Sequence, residues 1–309
     1  MPSHLKMVDE SKNVQRVIDW AVVQFFQWCV KWLRAIIWCN KLEGTWSIVG
    51  VFTIADFLPT FLEVTLFVNN IWGFELTGSV QTLWWLSRQM GSDYFCIYEV
   101  LDTVSDCSVD DYRFRSLYCK NEEDYQVVWQ IGYELISLFN GVYSLFDSNF
   151  EKVEIRELWK NGMHQLYCEN LDCFGPLGKP DISEENIATE FQKVKSDFRL
   201  FLLNKSTEDE GLYLILKYFN LEKNWVTYYR ILESLEYLAK EENINLPIDL
   251  DKRKRFANTA NNYSLSGIHS RHGLKKNPKK NGTPAMMLNE AHDFIRNVAK
   301  HYVEAKYRS

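Results

Sequence analysis

Residues 122–141 read EEDYQVVWQIGYELISLFNG, and the fold class turns on this stretch. Val128, Gly132, Leu135, Ile136 and Phe139 recur at three- and four-residue steps, which puts them on one face of a helix. Asn140-Gly141 supplies a plausible stop, because both residues tolerate the left-handed conformation that ends many helices. The flanking sequence is different. Before it, Trp46–Ile54, Phe61–Val68, Ile71–Leu76, Tyr94–Val100 and Tyr112–Tyr118 are rich in aromatic and β-branched residues, the composition of strands. Asn69-Asn70 offers turn chemistry between two of them, and Ser79 can cap a short helix reaching Met90. After it, Val153–Leu158 and Gln165–Cys168 read as further short strands. A helix set among strands that do not alternate regularly with helices makes this half α+β.

Gly175, Pro176, Gly178 and Pro180 form the clearest break in the chain. Beyond it the pattern is helical: Glu184–Leu203, Glu208–Phe219, Trp225–Glu242, Asp249–Ala257 and Met287–Tyr307. Ser183 and Thr207 are the expected N-caps of the first two, each ahead of acidic residues that suit a helix N-terminus. The spacing of Tyr228, Ile231, Leu235 and Leu238 is that of a bundle helix. The whole is therefore expected to be α+β in three parts: an amphipathic N-terminal helix in residues 1–45, a mixed α/β domain over 46–180 and a helical, basic-tailed domain over 181–309.

With 309 residues, 46% of them apolar and 15% aromatic, the chain can bury a sizeable core. The run Ile18–Cys39 is hydrophobic, yet Gln24, Gln27, Lys31 and Arg34 fall on one helical face. That stripe argues against insertion across a membrane and for packing on the body or on a protein partner, with attachment to a membrane surface as the alternative. No secretory signal precedes this run. Seven cysteines, an odd number without repeating spacing, suggest no disulfide framework, so the cytoplasm is the expected compartment. Cys168 and Cys173 lie near His164, but no second close-set pair completes a zinc site. The Asp102, Asp106, Asp110 and Asp111 loop lacks the order of a calcium loop. We expect no metal and no cofactor.

Charge is unevenly spread. From Asp251 to Ser309 there are 13 Lys or Arg against 4 Asp or Glu, a net +9, which leaves −15 on the first 250 residues. A basic tail can displace counterions from nucleic acid, or it can dock on the acidic body of its own or another subunit. Four of the six histidines, His269, His272, His292 and His301, lie in this tail. There is no glycine-rich phosphate loop, no dinucleotide fingerprint and no Gly-x-Ser-x-Gly elbow.

Two motifs in the tail carry chemistry. Arg296-Asn297-Val298-Ala299-Lys300-His301 resembles the signature of HEPN-type ribonucleases, all-helical domains found in toxins and antiviral abortive-infection proteins. The resemblance implies that Arg296 holds the scissile phosphate, that His301 takes part in proton transfer and that Asn297 positions them. Cleavage would use the RNA's own 2′-hydroxyl without a metal, at a composite site in a homodimer. The second motif is Gly267-Ile268-His269-Ser270-Arg271-His272-Gly273, preceded by Thr259-Ala260-Asn261 and followed by Pro284, Met286, Leu288, Glu290 and Ala291. It is similar to the tail of a group of bacterial proteins of comparable length, to which residues 135–145 are also similar; that group implies no activity. Arg271 and His272, with Lys275, Lys276, Lys279 and Lys280, could grip phosphate or nucleic acid. Equally, Arg271 could close an ion pair with Glu233, Glu236 or Glu290. The function expected is an endoribonuclease of antiviral defence; the alternative is a non-catalytic nucleic-acid- or protein-binding sensor or assembly component.

Overall fold

The computed structural model describes residues 72–89, 92–100, 111–171, 175–194, 197–274 and 284–308. The expected N-terminal helix, the strands at 46–54 and 61–68, most of the acidic loop, Cys173 and Lys275 to Lys280 lie outside them. Five antiparallel strands form one sheet in the order β2-β3-β1-β4-β5: β1 Trp72–Thr77, β2 Cys96–Glu99, β3 Tyr112–Arg115, β4 Glu154–Lys160 and β5 Met163–His164. The helices are α1 Val80–Ser87, α2 Tyr125–Phe146, α3 Glu184–Val194, α4 Phe198–Ser206, α5 Glu210–Asn220, α6 Trp225–Glu241, α7 Leu250–Asn261, α8 Tyr263–Ser266 and α9 Leu288–Tyr307. Strands concentrate in the first part of the described chain and helices in the second, so the fold is α+β.

The central strand explains the sheet. Trp72, Phe74 and Leu76 of β1 are buried, and Phe74 stands opposite Phe114 of β3 and Leu158 of β4. Phe74 stacks on Phe114 at 4.3 Å, Phe114 on Phe95 at 4.7 Å and Phe95 on Phe139 of α2 at 4.8 Å. This continuous run of rings glues sheet to helix. The alternate residue Glu75 emerges on the other face, where it accepts from Arg156 and Trp159 of β4.

Helix α2 is the central helix of the described unit. Asp124 caps it by accepting from the Gln126 N–H. The helix does not stop at Asn140-Gly141 but continues to Phe146, because both residues have other work. The Asn140 side chain donates to the Val153 carbonyl at 2.8 Å and accepts from the Val153 N–H at 3.0 Å, holding the strand-entering chain. At Gly141 a Cβ would overlap the Leu216 backbone, so the missing side chain lets α5 cross α2 closely. Gly132 does the same for the Phe74 ring.

Other expectations change for similar reasons. The predicted strand 165–168 is irregular, since α2 side chains take over its backbone. Trp129 Nε1 donates to the Leu166 carbonyl, the Tyr133 hydroxyl to that of Cys168 and Gln130 Nε2 to that of Glu169, at 2.7–2.8 Å. The predicted helix 184–203 is two helices, α4 being restarted by Asp197, whose carboxylate accepts from the Arg199 N–H. Asp209 rather than Thr207 caps α5.

The break at 175–180 does not separate two cores. All described residues fall within one compact unit, Val64–Ser309, and the buried side chains from β1 to α9 form a single cluster. The Gly178 N–H donates to the Thr207 carbonyl, and Tyr118 Oη sits 2.8 Å from both Gly178 O and Thr207 Oγ1. The expected boundary at 180/181 is thus a strap bonded to both sides.

Candidate functional site

Helix α9 carries the first motif. Its inward face, Ala291, Ile295, Val298, Ala299, Tyr302 and Val303, is buried at helical spacing. The opposite face is polar. Asn297 and His301, four residues apart, are both exposed on it, and His301 Nε2 lies 3.1 Å from the Asn245 carbonyl in the α6–α7 connection. Arg296 points elsewhere: five residues along an α-helix is a rotation of about 140° from His301. Its side chain is only 18% exposed, its nearest carboxylate is Asp293 at 3.9 Å, and its Nε has no hydrogen-bond partner. Within one chain the helix therefore brings Asn297 to His301 but sets Arg296 beside His292, one turn earlier.

The second motif is built as an anchored loop. Gly267, at φ +59°, turns the chain out of α8. The Arg271 N–H then donates to the Ala260 carbonyl at 2.7 Å, and beyond the excursion the Met286 N–H donates to Thr259 Oγ1 at 2.9 Å. Both ends of segment 272–285 are thus pinned to adjacent residues of α7, with Met286 buried as the plug. The Arg271 guanidinium carbon lies over the Tyr229 ring, 4.0 Å from its centroid, and the side chain reaches Glu233 at 3.5 Å. Arg271 is a brace between the loop and α6, the ion-pair reading weighed from sequence. His272 is exposed, and Lys275, Lys276, Lys279 and Lys280 follow it outside the described residues.

Much of the tail's positive charge is met internally. Arg253 pairs with Glu236 at 2.8 Å, Arg271 with Glu233, and Lys306 with both Asp209 and Glu242 at 2.8 and 2.7 Å, all acids of the body. Arg255 forms a two-pronged pair with Glu290 at 2.7 and 3.0 Å. Burial opposes ionisation of Asp209, but the bonds from Lys306, Leu212 N–H and Tyr307 outweigh it and hold the carboxyl below its usual range. The charge asymmetry read from sequence is thus in part a docking device.

His292 was no candidate from sequence, although it sits within the apolar spacing of α9, where a histidine is unexpected. It is 7% exposed, its Nδ1 lies 2.8 Å from the Tyr228 hydroxyl, and its Nε2 has no hydrogen-bond partner. Among the described residues no three His, Cys, Asp or Glu side chains gather in a way that could hold a metal ion. No helix among them is long and apolar enough to cross a membrane. No family model, no curated protein and no solved structure matches this chain.

Proposed function

We propose that the protein is a nucleic-acid-binding component with RNA as its ligand, and that the pinned loop 272–285 is the contact. The supporting observation is that the chain is anchored at Arg271 to Ala260 and at Met286 to Thr259, and that the sequence between these anchors holds four lysines, one histidine and no acid. While Arg253, Arg255, Arg271 and Lys306 are consumed by internal carboxylates, the loop's charge has no acidic partner within its own sequence. Four lysines in one short stretch of sequence can release counterions from a phosphate backbone.

The test is fluorescence anisotropy of a labelled single-stranded RNA across a salt series. Binding should weaken with salt, and changing Lys275, Lys276, Lys279 and Lys280 together to Gln should lower the log–log slope by about 3, roughly 0.7 per lost phosphate contact. No RNA binding by the wild type, or an unchanged slope in the variant, overturns the reading.

The ribonuclease reading stands second. It is favoured by the shared exposed face of Asn297 and His301, and it needs the facing site of a second copy, since Arg296 turns away within one chain. Incubation of wild type and His301→Ala with total RNA in EDTA decides it: cleavage lost with His301 supports it, and absence of cleavage in both, or equal cleavage, overturns it.

A further inference from the structure

The chain just past α7 folds into an element that buries nothing. The Asn262 side chain caps α8 by accepting from the Ser264 N–H, Gly267 turns the chain at φ +59°, and residues 267–269 form one turn of 3₁₀-helix. Three hydrogen bonds tie this segment back to the end of α7. Ser266 Oγ donates to the Thr259 carbonyl at 2.9 Å, and the Arg271 N–H and Ser270 Oγ donate to that of Ala260 at 2.7 and 3.3 Å. Every other α-helix among the described residues buries part of its length, but α8 and the turn after it bury no side chain.

What this element presents is largely apolar. Tyr263 and Leu265 are exposed, Ile268 is 83% exposed, and Leu274, just beyond the Arg271 anchor, is 77% exposed. Met287 is 75% exposed beside the buried Met286. Since Arg271 and Met286 are bonded to Ala260 and Thr259, these side chains gather at one end of α7. Single exposed apolar residues need no explanation, whereas a group of them marks a contact surface.

Flat and cationic groups accompany them. Arg271, with one side of its guanidinium over Tyr229, is still 33% exposed and can take a second planar partner. No Asp or Glu occurs from Lys252 to Asn289, and the α6 acids that approach, Glu233 and Glu236, are met by Arg271 and Arg253. Cations alone suffice to hold a phosphate backbone. Apolar and planar groups next to them suit a ligand that also offers open base faces. A duplex keeps those faces stacked inside and presents phosphates and groove edges, while a single strand can splay its bases onto such groups.

We infer that the RNA taken at this surface is single-stranded, with unstacked bases received by Tyr263, Arg271, Ile268 and Leu274. The inference rests on the RNA reading above and adds the form of RNA that is bound.

Fluorescence anisotropy of a labelled single strand, and of the same strand annealed to its complement, tests it. The single strand should bind about tenfold tighter or more. Tyr263→Ala, and separately Ile268→Ser combined with Leu274→Ser, should each weaken single-strand binding about fivefold or more, the loss of one base contact. Neither removes a charge, so the salt slope should stay as in the wild type, unlike that of the four-lysine variant. Equal binding of duplex and single strand, or full affinity in both variants, overturns this inference and leaves the RNA reading standing. So does binding to phosphatidylserine-containing vesicles that the Ile268/Leu274 variant loses while its RNA affinity is intact, which would make the surface lipid-facing. No RNA binding by the wild type overturns the RNA reading and this inference together.

Discussion

The two longest helices among the described residues use their length in opposite ways. Helix α2 buries 17 of its 22 residues, whereas α9 buries 8 of its 20. The difference follows from position: α2 is covered by the sheet on one side and by α4 and α5 on the other, while α9 rests on the bundle with one side free. In α2 buried polar residues hold backbone groups of other segments, as Gln130 holds Glu169 and Leu171 and as Asn140 holds Val153. Glu134 is likewise tied to Lys217 at 3.0 Å. In α9 the polar residues Asn297 and His301 stand outward, while Glu290 and Lys306 near its two ends pair with Arg255 and with Asp209 and Glu242. Buried polarity in this protein is structural on α2, and on α9 it is confined to His292 and its neighbours.

Substitutions can break or sharpen that contrast. The largest effect is expected at Gly141→Ala. In an open helix this change stabilises by up to about 1 kcal/mol; here the Cβ meets the Leu216 backbone, and a loss of about 3 kcal/mol or more is expected in urea denaturation. A gain would mean that α2 and α5 do not cross so closely. Next is Asn140→Ala, which strands the buried Val153 N–H and carbonyl together; about 2–4 kcal/mol should be lost.

A smaller effect, visible against pH, belongs to His292. Its folded pKa lies below the ordinary 6.5, so the unfolded chain takes up a proton first as pH falls. The contribution from this group is fully present above pH 6.5 and is lost as pH falls through the lower folded value. His292→Gln should flatten that part of a stability–pH profile, and an unchanged profile would mean that the imidazole titrates freely. The smallest effect is His301→Ala, expected within about 0.5 kcal/mol of wild type by thermal denaturation. If it cost as much as Asn140→Ala, the outer face of α9 would be part of the core packing and the contrast would collapse.

Several elements could be read directly from local pattern. The Trp72–Thr77 strand, the Ser79 cap and the spans of α6 and α9 follow from alternation, capping chemistry and helical spacing, while α2 begins at Tyr125 rather than at Glu122. Of the three carboxylates that the sequence offers Arg271 (Glu233, Glu236 and Glu290), it reaches Glu233. A histidine in an apolar stripe, as His292 is, gives no sign in one dimension of whether its second nitrogen has a partner.

The amino-acid sequence by itself determined the α+β class, the position of most elements and the acidic-body, basic-tail charge pattern, because these depend on near neighbours and on composition. Only the tertiary structure decided that Asn140-Gly141 continues a helix, that the Gly175–Pro180 stretch straps one core together and that Arg296 belongs with His292 rather than His301. A glycine that ends a helix and one that admits a crossing helix have the same local chemistry. What distinguishes them is the Leu216 backbone, 75 residues away along the chain, and that proximity exists only once the chain has folded.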